Sequence, residues 1–319
     1  MDKTIYNGAP WIAERADPYV YLHSDGWYYF TASVPAYDGI CLRRAKTLAG
    51  LPAAPETMVW HKHENGPMSK NIWAPELHFL DGKWYLYFAG GDEENMWKIR
   101  PYVLECQGPD PMTGPWAELG KMQRAPDDEF SFEAFSLDAT VFENRGRRYY
   151  VWAEKVSVGR QISNLYIAEM AAPNRLKTAQ VLLTTPDYGW ERHGFWVNEG
   201  PAVLHHGGRC WLSFSASDTS PAYCMGLLWA DETADLLDPQ SWHKNRQPVF
   251  ATDPARAIYG PGHNSFTKDE QGNDVVVYHA RPEAEIEGDP LYNPNRAARL
   301  MLLRWDEQNQ PLFGYDENM

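Results

Sequence analysis

Short runs of β-branched and aromatic residues, bounded by Gly, Asp or Asn, carry most of the hydrophobic patterning of this chain. Tyr19-Val20-Tyr21-Leu22, Trp84 to Phe88, Thr140-Val141-Phe142, Tyr149-Tyr150-Val151-Trp152 and Val275-Val276-Val277-Tyr278 each read as a strand. Several open directly from a tight turn. The clearest turn-plus-strand copies are Asp25-Gly26-Trp27-Tyr28-Tyr29-Phe30, Asp81-Gly82-Lys83-Trp84-Tyr85-Leu86-Tyr87-Phe88 and Arg145-Gly146-Arg147-Arg148-Tyr149-Tyr150-Val151-Trp152. Two fainter copies start at Gly207-Gly208 and at Gln271-Gly272. The copies recur at roughly 60 residues, and a fixed period of turn-plus-strand units signals a repeat architecture.

Other strands fill each unit. Ile40 to Arg44, Lys98 to Leu104, Leu165 to Ala168 and Met225 to Trp229 follow the aromatic strands. A last element recurs at Met58-Val59-Trp60, Trp116 to Leu119, Val181-Leu182-Leu183, Pro248-Val249-Phe250 and Leu300 to Trp305. About four antiparallel strands per unit is the make-up of a propeller blade, so the pattern predicts an all-β, five-bladed β-propeller. Helical periodicity is nearly absent; only Asp231 to Leu237 offers a helical turn or two. The Pro/Gly/Asp-rich stretches Thr47 to Pro55, Gly108 to Pro115, Pro126 to Phe130 and Glu283 to Asn295 read as loops on the faces. Five units use nearly all of the chain, which predicts a single domain over 1–319.

Composition narrows the partners. A net charge of −14 argues against nucleic acid or an anionic membrane, which need basic patches. Aromatic residues make up 14% of the chain, which suits a surface that stacks on sugar rings. Cys41, Cys106, Cys210 and Cys224 follow no metal-ligand spacing and read as buried free thiols. No apolar run approaches the roughly 18 residues needed to span a membrane. The first residues lack a basic segment followed by an apolar one, so the expectation is a cytoplasmic protein, or a secreted one if a leader has been removed.

The chemistry lies upstream of the turns. Eight or nine positions before each turn glycine stand Asp17, Ala74 (two before Glu76), Asp138, Glu199 and His263. In equivalent blades these positions fall around one axis, where groups from different blades converge. Asp17, Asp138 and Glu199 sit beside Ala, Pro, Leu or Gly rather than in charge runs. An isolated acid of this kind often only starts a turn, as Asp-Pro does. Three of them at matching phase are a different matter. Two carboxyl groups across a pocket are the minimum for glycoside hydrolysis, and a third nearby raises the acid's pKa by like-charge repulsion.

Ala16-Asp17-Pro18, Trp73-Ala74-Pro75-Glu76, Leu137-Asp138-Ala139 and Asn198-Glu199-Gly200-Pro201, each followed by its hairpin, resemble glycoside hydrolase family 43. The likeness extends to Gly260 to Phe266 and to Tyr278-His279-Ala280-Arg281, so it covers the whole chain in order. The resemblance implies a five-bladed propeller acting with inversion on arabinofuranosides, xylosides and related pentose polymers. It implies Asp17 as general base, Glu199 as general acid, and Asp138 as the residue that tunes the acid and orients substrate. It implies a central His263, often joined through water to calcium or another ion, and a sugar-binding Arg281; no cofactor is needed for chemistry.

Each secondary candidate has a plainer reading. His263, between glycine and Asn264, could serve only a turn, and Arg281 could be a surface arginine. Trp73 and Phe135 could wall the sugar site or simply fill the core. Glu76, two positions off phase, fits a hydrogen bond within its blade. Tyr259 to Phe266, Tyr278 to Arg281, Glu287 to Tyr292 and Asn295-Arg296 resemble the arabinofuranosidase branch, which favours an exo-acting α-L-arabinofuranosidase over a β-xylosidase. A propeller that binds carbohydrate without catalysis is the rival class.

Overall fold

The computed structural model describes residues 3–158 and 160–315, and within these every regular element longer than a single 3-10 turn is a strand. The first unit is a four-stranded antiparallel sheet of β1 (Ala16–Leu22), β2 (Tyr28–Ser33), β3 (Gly39–Ala45) and β4 (Thr57–His61). The second repeats it with β5 (Pro67–Leu80), β6 (Lys83–Asp92), β7 (Arg100–Cys106) and β8 (Trp116–Lys121). In the third, β9 (Ser136–Asn144), β10 (Arg147–Val158) and β11 (Arg160–Ala172) are edged by β12 (Arg175–Leu176) and β13 (Val181–Thr184). The fourth holds β14 (Trp196–His206), β15 (Arg209–Ala216), β16 (Cys224–Asp231) and β17 (His243–Lys244). A short parallel pairing of Ile162 and Ser163 with Trp196 and Val197 joins the third unit to it.

The fifth unit is smaller: β18 (Tyr259–Lys268), β19 (Asp274–Arg281) and β20 (Ala297–Leu302) form a three-stranded sheet. Its outer edge is met by the N-terminal segment, where Ile12 bridges Ala298. The chain ends in a hairpin of β21 (Arg304–Trp305) and β22 (Pro311–Leu312). The expected last strand Leu300 to Trp305 is thus split between β20 and β21. Pro248 to Phe250 is not a strand either; only Phe250 bridges Met225, and β17 takes the edge of β16 instead. Asp231 to Leu237 forms turns, not a helix, because Asp231 ends β16 and its carboxylate caps Thr233.

The turns explain the hairpins. Asp81-Gly82, Arg145-Gly146 and Gly207-Gly208 each place two consecutive residues at positive φ, the geometry that matches strand twist in two-residue hairpins. The strand after each turn is aromatic on both faces because both faces are buried. Tyr85 and Tyr87 pack with Tyr150 and Trp152 of the third unit, while Trp84, Leu86 and Phe88 pack with Tyr29 of the first. Tyr149 and Val151 face Leu212 and Phe214 of the fourth. Met225 and Phe250 then face Val276 and Tyr278, and Val275 and Val277 return to Tyr28 and Phe30 of the first unit. Contacts among the first strands run the same course: β1 to β5, β5 to β9, β9 to β14, β14 to β18 and β18 back to β1. The four cysteines are buried and free within these packed faces.

Candidate active site

The first strand of every unit carries a bulge at the same place. Asp17 (φ 54°), Ala74 (φ 47°), Asp138 (φ 51°), Gly200 (φ 55°) and His263 (φ 42°) all take the left-handed conformation. Around each of them the ladder to the second strand slips register. A bulge of this kind bends the strand and re-aims a side chain out of the alternation. It also takes an amide out of the ladder, and a buried amide needs another partner. Asp17 N–H donates to His279 Nδ1 (3.0 Å), Ala74 N–H to Ser33 Oγ (2.8 Å), Gly200 N–H to Asp138 Oδ2 (3.2 Å) and His263 N–H to Ser215 Oγ (2.7 Å). Each partner belongs to a neighbouring unit, so the bulges are stitched to one another.

In the fourth unit the left-handed residue is Gly200, one position beyond Glu199. A Cβ on Gly200 would lie 3.1 Å from Cγ of His263, so glycine is what lets these two bulges approach. Glu199 still points into the same cavity as Asp17, Asp138 and His263, a space of about 630 Å³. Trp73 and Phe135 line it as well. Trp73 stands edge-on to Tyr37 (centroids 5.7 Å apart), and Phe135 carries the Lys155 ammonium 4.0 Å above its ring. Such a volume, with aromatic walls and a few convergent polar groups, is of small-ligand size.

Arg281 is placed elsewhere. It is buried behind the pocket, donating to Asn293 Oδ1 (2.7 Å) and to the Pro290 carbonyl (2.6 Å). It therefore pins the loop whose Pro290 and Leu291 wall the cavity. The arginine that lines the cavity is Arg296, with Nη1 3.7 Å from Asp17 Oδ1 and Nη2 donating to the Tyr37 hydroxyl (2.9 Å). Glu76 lies off the pocket and pairs with His78 (2.8 Å), as a residue that bonds within its own unit does.

The electrostatics separate the three acids. Asp17 is buried, which alone would raise its pKa, but the charges of His263 and Arg296 outweigh that and hold it well below the usual carboxylate range. Ser33 Oγ donates to its Oδ2 (2.6 Å) and fixes its orientation. Asp138 is raised, by burial first and then by Glu199 and Asp17, although His263 pulls the other way. Glu199 is raised too, chiefly by burial, while the Tyr223 hydroxyl donates to its Oε1 (2.8 Å) and opposes the rise. Asp138 and Glu199 are coupled, so they titrate as a pair, and both are held toward the protonated form.

His263 bridges the set. Its Nδ1 lies 3.3 Å from Asp17 Oδ1 and 3.5 Å from Asp138 Oδ2, and these acids raise its pKa against the effect of burial. His279 is the opposite case. Burial pulls it down to about 4, and its Nδ1, accepting the Asp17 amide, has no proton to give. Tyr223 stacks flat on the His279 ring (5.7 Å, 3°). A Cβ on Gly262 would lie 2.4 Å from Tyr223 Cε1, so that glycine admits the tyrosine. Among the described residues no group of three or more His, Cys, Asp or Glu is arranged to hold a metal ion.

An all-β scaffold that gathers three carboxyl groups, two of them buried, from three units around one sugar-sized cavity defines a carbohydrate-active class of site. The chain belongs to the glycosyl hydrolases family 43, whose family model matches residues 9–311. It is 48% identical over 306 residues to an "Extracellular exo-alpha-(1->5)-L-arabinofuranosidase" of Streptomyces avermitilis, covering 96% of this chain and 62% of that protein. A protein of the same name from Streptomyces chartreusis is 48% identical over 282 residues, 88% of this chain and 84% of its own. The chain thus spans about 62% of the length of the first of these relatives. Among solved structures, an alpha-L-arabinofuranosidase from Lactobacillus brevis superposes with a TM-score of 0.89 at 51% identity, covering 96% of this chain and 95% of that one.

Proposed function

We propose that residues 1–319 form a single catalytic domain, a five-bladed β-propeller, that works as an inverting, exo-acting α-L-arabinofuranosidase on arabinan or arabino-oligosaccharides. Packing that passes from unit to unit and returns to its start supports the propeller reading. The observation that carries the function is the meeting of Asp17, Asp138 and Glu199 in one aromatic-walled cavity. The half-identical relatives named as arabinofuranosidases favour arabinose over xylose as the released sugar. Two of the relatives are named extracellular, which weighs weakly against the cytoplasmic expectation.

The roles follow from the electrostatics. Asp17, ionised at every working pH, draws the proton from a water on one face of the sugar ring. Glu199 is the least buried of the three and sits where a substrate meets it; it delivers its proton to the departing oxygen. Asp138 keeps that proton on the pair by repulsion, since two carboxylates so placed resist ionising together. An inverting pair stands roughly 6.5–9.5 Å apart so that water fits between base and sugar. Arg296 offers a donor to the ring hydroxyls beside Asp17, held there by the Tyr37 hydroxyl, which accepts from it and donates to the Leu291 carbonyl, and Trp73 and Phe135 supply apolar walls. The chemistry runs on carboxyl groups and water, and an ion held through water at His263 would be structural.

A binding module without catalysis has no use for two neighbouring carboxyl groups held toward their protonated forms. Assay of p-nitrophenyl α-L-arabinofuranoside against the β-D-xyloside separates the readings. Faster release from the arabinofuranoside is expected; preference for the xyloside supports a xylosidase, and no release from either supports a binding module.

A further inference from the structure

Beside the catalytic cavity opens a second one of about 580 Å³, and Trp97, Phe135 and Lys155 line both. This side chamber is built rather than incidental. Glu154 accepts the amides of Phe132 and Ala134 (both 3.0 Å) and the Trp152 indole N–H (2.9 Å), which locks the segment carrying Phe135. Ser136 N–H donates to the Ile99 carbonyl (3.1 Å), tying that segment to the start of β7.

Its charge is opposite to that of the chain. In a protein of net charge −14, the chamber is lined by Lys98, Arg100 and Lys155 against one acid, Glu133. Glu133 is already engaged by Arg124 outside the chamber (2.7 Å). Arg100 donates to the backbone carbonyls of Ile99 and Glu133, and Lys155 rests on the Phe135 ring. Neither ends on a carboxylate among the ion pairs of the described residues, although the Lys155 charge is close enough to Glu199 to interact with it. Lys98 reaches Asp92 only at 3.5 Å. The chamber is thus left with an excess of positive charge in an otherwise acidic protein, which an anionic ligand would offset.

We propose that this side chamber binds the carboxylate of a uronic acid residue in the leaving group. The inference rests on the arabinofuranosidase reading, because an occupant reached through the shared wall must be attached to the sugar being released. Within a saccharide, the anion that suits the donors left on an arginine beside a lysine is a carboxylate. The rings of Trp97 and Phe135 suit the apolar face of the pyranose that bears it. A neutral sugar would fill the volume but leave the charges uncompensated.

The test compares an α-L-arabinofuranosyl hexuronic acid with its methyl ester, which keeps the shape and removes the charge. At low ionic strength kcat/KM is expected to favour the acid by about tenfold, the worth of one charge-assisted hydrogen bond. The preference should shrink with added salt and fall toward unity in Lys98→Met and in Arg100→Met. Arg100 also braces the Glu133 carbonyl, so the half-exposed Lys98 provides the variant that leaves the fold intact. Calorimetric titration of both compounds onto the protein reads the chamber independently of turnover. Equal affinity and equal kcat/KM for acid and ester, or a preference unmoved by both substitutions, would overturn the chamber. Failure to cleave p-nitrophenyl α-L-arabinofuranoside while the acid still binds more tightly would instead overturn only the hydrolase reading.

Discussion

Five bulges share one backbone conformation, yet only some of them bring a charge to the cavity. At the bulge of the first and third units stand Asp17 and Asp138, and Glu199 immediately precedes that of the fourth; the second has Ala74 and the fifth His263. The conformation itself is costly for a residue with a Cβ, on the order of 1 kcal/mol each. Ala74 takes that strain with no side chain to aim, because its amide still orients Ser33, and Ser33 orients Asp17. The repeat therefore supplies the frame, and the differences between its copies supply the chemistry.

The comparison breaks most sharply at the acids. Glu199→Gln removes the proposed proton donor, and kcat on an arabino-oligosaccharide should fall by about a thousandfold or more with the fold retained. A loss within about threefold would show that the fourth unit does not provide the acid. Asp138→Asn should cost about a hundredfold in kcat/KM and move the basic limb of the pH profile toward acid, since the repulsion that raises Glu199 is gone.

The same variant has a stability signature. A carboxyl group whose folded pKa is raised weakens the fold as pH rises from its unfolded value through its folded one. Asp138→Asn should therefore raise Tm relative to the parent at pH 8 and lose that advantage near pH 4. Asp17 has the opposite sign. Its folded pKa is depressed, so its contribution is full above pH ~4 and lost below it, and Asp17→Asn should lower Tm at neutral pH.

Smaller effects test the supporting residues. Tyr223→Phe deletes the hydrogen bond that favours ionised Glu199, so the basic limb should move upward, with kcat/KM down by about tenfold. An unshifted limb would mean that Tyr223 only packs. The slightest change is Ala74→Gly, which relieves the left-handed strain and should alter unfolding free energy by no more than about 1 kcal/mol.

Much of this is legible in the chain before any coordinates, for a definite reason. Turn glycines and bulges are local, and their constant spacing brings Asp17, Asp138, Glu199 and His263 into phase without knowledge of tertiary contacts. Trp73 and Phe135 are readable as neighbours of those positions. Ser33, Ser215 and His279 carry a signal that was there to use: each lies sixteen residues after Asp17, Glu199 or His263, at the matching place on the second strand. Tyr223 carries none, and Arg296 is marked only by the resemblance of Asn295-Arg296 to the arabinofuranosidase branch, not by the repeat. They enter the cavity from loops before β16 and β20, where length and direction obey no period. The same irregularity makes Arg281 the natural choice over Arg296 in sequence, because Arg281 ends a repeat strand while Arg296 follows a long loop. Strand ends on the outer edge were also poorly marked, as the fates of Pro248 to Phe250 and Leu300 to Trp305 show. Outer edges touch solvent, and little in their side chains enforces pairing.

The proposed opposition of Asp17 and Glu199 across the cavity is tested most directly by proton NMR of the first product formed from an α-L-arabinofuranoside. Water activated by Asp17 attacks the face opposite the leaving group, so the β-anomer of L-arabinose should appear first and the α-anomer only by later mutarotation. An initial α-anomer would mean net retention and would contradict the roles given to both residues.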